Sequence, residues 1–228
     1  AVSEMREANP MLGMRGCRMG LVFPDIYKMQ VKSIVNAALS ISSRLLTVNP
    51  HIMVPLVSHS NELKRLRTII EETIQKNLPH IPKTSTKFKI GVMIETPRAA
   101  ITADEIAKYA DFFSFGTNDL TQMSFAFSRD DAEGKFLVHY QKEQILDTDP
   151  FQELDHAGVG KLIKIACELG LSTNSNLTLG ICGEHGGDQK SIAFFHEAGL
   201  QYVSCSPYRV PVARLAAAQA AISSDVQD

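Results

Sequence analysis

The sequence predicts an α/β fold built on a parallel sheet, with about five strand–helix units in a row. Two observations carry that expectation. Short apolar runs rich in β-branched and aromatic residues alternate with longer segments of helical period. Consecutive apolar runs also end on polar residues of distinctive kinds, as parallel strands do where they meet a ligand. The 228 residues with 44% hydrophobic content suit one large domain, taken as residues 1–228, better than two small ones.

In chain order, a glycine-rich opening leads to Pro24 and Asp25, a helix start signal. Met29, Ile34, Val35, Ala38, Leu39 and Leu45 follow with helical period. HIMVPLVS, 51–58, reads as a buried strand weakened at Pro55, which has no ladder donor. Ser60 is placed to cap the next helix, whose Leu63, Leu66, Ile70 and Ile74 share a face. The loop NLPHIPKTSTK precedes the strand KIGVMIE, which ends on Glu95. Thr102 and Glu105 have the capping-box spacing, predicting one helix over ITADEIAKYA. Phe112 to Phe115 is a strand that breaks at Gly116 and delivers Thr117, Asn118 and Asp119. The polar excursion SRDDAEGKFLVHYQKEQILDTDPF reads as a long connection. The helix VGKLIKIACELG, the strand LTLGIC, the helix QKSIAFFHEAGL, the strand YVSCS and the alanine-rich helix VPVARLAAAQAAI complete the chain.

With 23 Lys and Arg against 25 Asp and Glu, the net charge is −2, which argues against nucleic acid as the main partner. No apolar run approaches the roughly 18 residues of a membrane span, and AVSEMREANP lacks a signal-peptide layout. A soluble protein is expected. Cys17, Cys167, Cys182 and Cys205 form no CxxC pair, so free thiols in a reducing compartment are expected.

The polar strand ends are Glu95, then Asn118 with Asp119, then Cys182 with Glu184 and His185. Two carboxylates converging from neighbouring strands suit a hard cation such as Mg²⁺, which keeps several waters and takes its other ligands from substrate oxygens. They equally describe solvated or salt-bridged acids. GTND is as readily a turn or helix cap as a site. In NPMLGMRGCRMG, Arg15 and Arg18 stand among glycines whose amides could help hold a phosphate or carboxylate; a surface turn with solvated arginines fits the same residues. Cys182 in GICGEHGG is a nucleophile, an acid/base or a packed thiol. His185 has no Asn or Asp partner to complete a thiol-hydrolase triad. Cys17, Cys167 and Cys205 are assigned to packing, and His139, His156 and His196 to the surface or to capping.

Taken together, NPMLGMRGCR, GVMIETPRAA, FFSFGTNDLTQMSFAFSRDD, GICGEHGGD and VSCSPYRVPVARLAAAQAA resemble the C-terminal domain of the pyruvate, phosphate dikinase family. The wider superfamily includes phosphoenolpyruvate synthase and enzyme I of the phosphotransferase system, which stand as the alternatives, beside a truncated non-catalytic module that binds metabolite or dimerises. The resemblance implies a (β/α)₈ TIM barrel of the phosphoenolpyruvate/pyruvate-domain type, here short of its first strands. It implies Glu95 and Asp119 as Mg²⁺ ligands and Arg15 as a phosphoryl-binding arginine. Gly116, Thr117 and Asn118 become substrate contacts, and Cys182 the acid/base at the methyl or methylene carbon. Met14 departs from the histidine often found before that arginine.

The implied activity interconverts pyruvate and phosphoenolpyruvate through a phosphohistidine on another domain, charged from ATP and phosphate by a nucleotide-binding domain with release of AMP and pyrophosphate. Neither domain lies in this chain, so the chain alone is expected to be inactive in the full reaction. A homodimer, no nucleic acid, no membrane and a cytoplasmic location are expected, with a plastid or glycosome left open.

Overall fold

The structure is a computed structural model that describes residues 7, 9–42, 46–78 and 87–225. Leu45 and residues 79–86 of the NLPHIPKTSTK loop lie outside the described residues. Five strands, β1 (His51–Val54), β2 (Lys89–Ile94), β3 (Phe112–Gly116), β4 (Thr178–Cys182) and β5 (Tyr202–Ser204), form one sheet in the order β1-β2-β3-β4-β5. Every neighbouring pair is parallel.

Parallel neighbours require crossovers, and helices provide them. The helices α1 (Cys17–Val22) and α2 (Pro24–Ser42) precede β1, and α3 (Ser60–Asn77) joins β1 to β2. Next, α4 (Pro97–Ile101) and α5 (Ala103–Ala107) join β2 to β3. Four helices, α6 (Thr117–Phe125), α7 (Arg129–Lys135), α8 (Leu137–Lys142) and α9 (Val159–Thr173), lie between β3 and β4. Finally, α10 (Gln189–Glu197) joins β4 to β5, and α11 (Val210–Asp225) ends the chain. The α/β class is as expected. Strand order that follows chain order without reversal belongs to a (β/α) barrel wall; a doubly wound sheet reverses direction at its switch point.

The side-chain period of two divides the sheet into two faces. Val92, Ile94, Phe113, Phe115, Leu179 and Ile181 are fully buried in the main core, each contributing roughly 1.5–3 kcal/mol by leaving water. On α9, Gly170 makes room for this layer: a Cβ there would stand 2.8 Å from the Phe113 ring. The other face carries Gly91, Met93, Ser114, Gly116, Gly180, Cys182 and Tyr202. Small and polar residues gather on it toward the strand ends, while Phe112 fills the space left by Gly91.

The elements differ from expectation in five places. The cap of α3 is His59, because Glu62 accepts from the Ser58 and His59 N–H groups at 2.7 and 2.9 Å while the His59 ring accepts from Asn61 N–H. Ser60 hydrogen-bonds Glu105 instead. The helix expected over 101–110 is two short ones that meet at Thr102, whose hydroxyl donates to Arg98 O. The effective cap is Thr96, followed by Pro97. The polar excursion is largely helical, as α7 and α8, because Phe127, Phe136 and Tyr140 pack together over a small separate core of Ala132, Leu137 and Phe151. In the opening segment, α1 begins directly after Arg15 and Gly16. In α2 the buried stripe is Val31, Val35 and Ala38, whereas Met29 is 61% exposed. Ile34, half-exposed, joins Met19, Tyr27 and Met53 along a groove of about 400 Å³ beside the edge strand β1. Among the described residues no helix is long and apolar enough to cross a membrane.

Candidate active site

The parallel strands deliver their C-terminal ends to one rim. Glu95 follows β2 directly, Thr117, Asn118 and Asp119 form the first turn of α6 directly after β3, and Cys182 ends β4 opposite Gly116 in register. The structure thus brings Glu95, Gly116, Thr117, Asn118, Asp119 and Cys182 together, with Arg15 close enough for its charge to act on Glu95.

Glu95 is buried, and its Oε1 accepts the Leu56 N–H at 2.6 Å. Its carboxyl lies within hydrogen-bonding reach of Asp119. Burial pushes the Glu95 carboxyl up to about 8; the Asp119 charge adds to this, while the Leu56 N–H and Arg15 oppose it. Gly116 makes the approach possible, since a Cβ there would lie 2.8 Å from both Glu95 Cβ and Oε2.

Arg15 is held at the rim by a latch. Gly16 adopts φ +57, Cys17 N–H donates to Pro55 O at 3.0 Å, and the Cys17 thiol donates to Leu56 O at 3.1 Å. Leu56 itself stands at φ 58, a left-handed conformation costly for a branched residue, and is over-determined by the Cys17 and Glu95 bonds on its two sides. Cys17 is therefore packed, as expected, and burial pushes its thiol up to about 12. Arg18 is tied elsewhere: its guanidinium donates to the Leu12 and Gly13 carbonyls at 2.8 Å. That leaves Arg15 as the exposed cation of the segment.

Cys182 is half-buried, and the Ser114 hydroxyl donates to its sulfur at 3.3 Å. Burial pushes the thiol up, the Ser114 bond opposes this, and the Glu95 charge adds to it. The glycines around it serve close approach. Gly183 sits at φ +128 with Thr117 Oγ1 only 2.6 Å from where a Cβ would be, and Glu184 N–H donates to Asn118 Oδ1 at 3.1 Å.

His185, absent from the site expected from sequence, anchors this loop from beneath. It is fully buried, with Nε2 2.9 Å from Pro150 O and Nδ1 2.7 Å from Thr117 Oγ1. A carbonyl can only accept, so Nε2 carries the proton and Nδ1 accepts the Thr117 hydroxyl. Thr117 then has no proton left for Cys182 O, 3.5 Å away, and its lone pairs remain free.

A profile of the family described as PEP-utilising enzyme, PEP-binding domain, matches residues 1–222. The chain belongs to this family. It is 55% identical over 218 residues to the chloroplastic pyruvate, phosphate dikinase of Mesembryanthemum crystallinum, covering 96% of this chain and 23% of that protein. It is 51% identical over 224 residues to pyruvate, phosphate dikinase of Clostridium symbiosum, covering 98% of this chain and 25% of that protein. The chain thus spans about a quarter of the length of these relatives. Among the described residues of this PEP-binding domain, no group of three or more His, Cys, Asp and Glu is arranged around a metal; the acids at the rim are a pair.

The buried imidazole of the PEP-binding domain makes stability depend on pH. Burial lowers its pKa first, with Pro150 O, Asp188 and Glu184 opposing and Arg129 reinforcing. A folded pKa below the unfolded value of about 6.5 means that the unfolded state binds more protons, so stability present above pH ~6.5 is lost as pH falls through that window. The urea midpoint of the chain is expected to fall between pH 7.5 and 5.5. His185→Gln should start about 1–3 kcal/mol less stable, having lost one buried partner, and fall less steeply. Parallel pH profiles for the two proteins would refute the assignment.

Proposed function

We propose that this domain carries the pyruvate/phosphoenolpyruvate half-reaction of a pyruvate, phosphate dikinase. The observation that supports it is the convergence of Glu95 and Asp119 with the half-buried Cys182 at one sheet rim, beside Arg15. In this reading Arg15 holds the phosphoryl group, where catalysis is mainly positioning and charge neutralisation. Thr117 and Asn118, beside the Gly116 turn, contact the three-carbon substrate. The Cys182 thiol gives a proton to the enolate carbon, or as thiolate takes one from the pyruvate methyl.

Glu95 and Asp119 are the residues that would hold Mg²⁺. They fit it: two carboxyls meet at the rim, the buried one pushed up to about 8 although Arg15 and the Leu56 N–H oppose the shift, and a hard cation that keeps waters needs few protein ligands. When bound, Mg²⁺ supplies Lewis acidity toward a developing oxyanion. The phosphoryl donor is a phosphohistidine on another domain of a longer polypeptide, recharged from ATP and phosphate by a nucleotide-binding domain. A homodimer belongs to the same proposal, as does a location in the cytoplasm.

Calorimetric titration of the purified chain with oxalate, a planar enolate mimic, tests the site. Binding is expected with Mg²⁺ present and lost without it. Oxalate binding that ignores Mg²⁺, or no binding under either condition, would overturn this reading of the chain.

A further inference from the structure

Two rim segments far apart in the chain are tied together by hydrogen bonds that the proposed reaction does not use. One is the first turn of α6, with Thr117 and Asn118; the other is the 3₁₀ turn Glu184–Gly187 that follows β4. The Glu184 N–H donates to Asn118 Oδ1 at 3.1 Å. One residue on, the buried His185 ring spans from Thr117 Oγ1, 2.7 Å from Nδ1, to Pro150 O, 2.9 Å from Nε2. The far end of the turn is fixed as well, because Asp188 accepts the Ser191 N–H at 2.8 Å and the buried Ser191 hydroxyl oxygen accepts the Leu154 N–H at 3.0 Å. The turn cannot tilt away from α6 without breaking buried bonds.

This arrangement decides which way the Asn118 amide points. A backbone N–H only donates, so the Asn118 atom that meets Glu184 is the carbonyl oxygen, and the NH₂ stands on the other branch. Asn118 is half-buried at the rim, and among the described residues its NH₂ has no protein acceptor. The Thr117 hydroxyl gives its proton to His185 Nδ1 and has none to offer an anion, so the side-chain donor of this turn is Asn118. The carboxylates of pyruvate, phosphoenolpyruvate and oxalate only accept. An amide turned the other way would present them with a lone pair.

We propose that His185 and the Glu184 N–H position Asn118: His185 holds the turn against α6, and the N–H takes the Asn118 carbonyl oxygen, so that only the NH₂ is offered to an oxygen of the anionic substrate. This rests on the reading of Asn118 as a substrate contact. Without that N–H the two orientations of the amide differ little in energy, and one of them repels the ligand.

Calorimetric titration of the full-length protein that carries this domain, with oxalate in the presence of Mg²⁺, tests the arrangement. Glu184→Pro deletes the N–H, and the first position of a helical turn accommodates the fixed φ of proline. Gly183 before it has ψ 177, which a following proline permits. Glu184→Ala removes the same carboxylate and keeps the N–H. The proline variant is expected to bind oxalate roughly tenfold more weakly than the alanine variant, the scale of a misdirected hydrogen bond to an ion. His185→Gln, which loses the bond to Thr117, should weaken binding in the same direction. In an Asn118→Ala background the difference between the proline and alanine variants should shrink below about twofold, because groups that act through one side chain are not additive. A merely structural role of the turn would cost the same in both backgrounds. If Glu184→Pro does not fold, His185→Gln measured with and without Asn118→Ala carries the same comparison. Equal affinities of the proline and alanine variants, or an equal loss in both backgrounds, overturn this proposal alone. Wild-type oxalate affinity in Asn118→Ala overturns the reading on which it rests.

Discussion

Replacing Glu95 by glutamine is expected to abolish the Mg²⁺-dependent rise in melting temperature and, without metal, to make the domain more stable than the wild type. The buried Glu95 carboxyl, pushed up to about 8 by burial and by the Asp119 charge, must take up a proton on folding at neutral pH, whereas an amide need not. The amide keeps the shape and can still accept the Leu56 N–H with its carbonyl oxygen. Its NH₂ can donate to Asp119, so the contact is kept without that proton uptake. A gain of about 1 kcal/mol would appear as roughly 2–4 °C in melting temperature for a chain of this size. The wild type, by contrast, should gain about 2.7 kcal/mol when Mg²⁺ is present at a hundred times its dissociation constant. Thermal melts of both proteins with and without Mg²⁺ decide the matter. A variant that still shifts with Mg²⁺, or that melts several degrees below wild type without it, would remove Glu95 from the metal site.

The same acid shows what was legible in the sequence. Glu95, Asp119 and Cys182 each stand at the end of an apolar run, and the parallel-strand rule then brings them to one rim without any knowledge of distances. The strands themselves were legible because β-branched and aromatic runs such as Phe112–Phe115 announce buried strands; four lie within the expected runs, and β3 runs one residue further, to Gly116. Helix starts were less so. Thr102 with Glu105 and Ser60 both fit a capping pattern, but Thr96 before Pro97 and His59 before Glu62 form the working caps. Competing caps a few residues apart differ by about 1 kcal/mol, which tertiary contacts easily override. The helices α7 and α8 were hidden because their small core draws on Phe127 and Phe151, which lie outside both helices. His185 was hidden for a different reason. Its role depends on Pro150 and Thr117, residues remote in sequence whose proximity only the packed loop creates.

Cys182→Ala in the full-length protein is expected to stop incorporation of solvent deuterium into pyruvate by about 100-fold or more, the usual scale for losing a positioned acid/base, while phosphorylation of the histidine domain from ATP continues. The separation follows from where the sulfur stands. It ends β4 and faces Ser114 and Glu95, whereas Arg15 reaches the rim from the latch before α1, so the proposed reaction would handle the proton and the phosphoryl group from different segments. The substitution removes one half-buried sulfur and leaves the Gly183 turn and the His185 anchor intact, so the fold should persist. Because burial and the Glu95 charge hold the thiol above its ordinary value, it is protonated near neutral pH. In the proposed reaction the resting site is then prepared to protonate an enolate rather than to abstract a methyl proton. Methyl exchange in the wild type should accordingly rise toward alkaline pH, where thiolate accumulates, and the alanine variant should show no such rise. Exchange in the variant at the wild-type rate would show that the proton comes from some other group, and would leave the thiol without a chemical role.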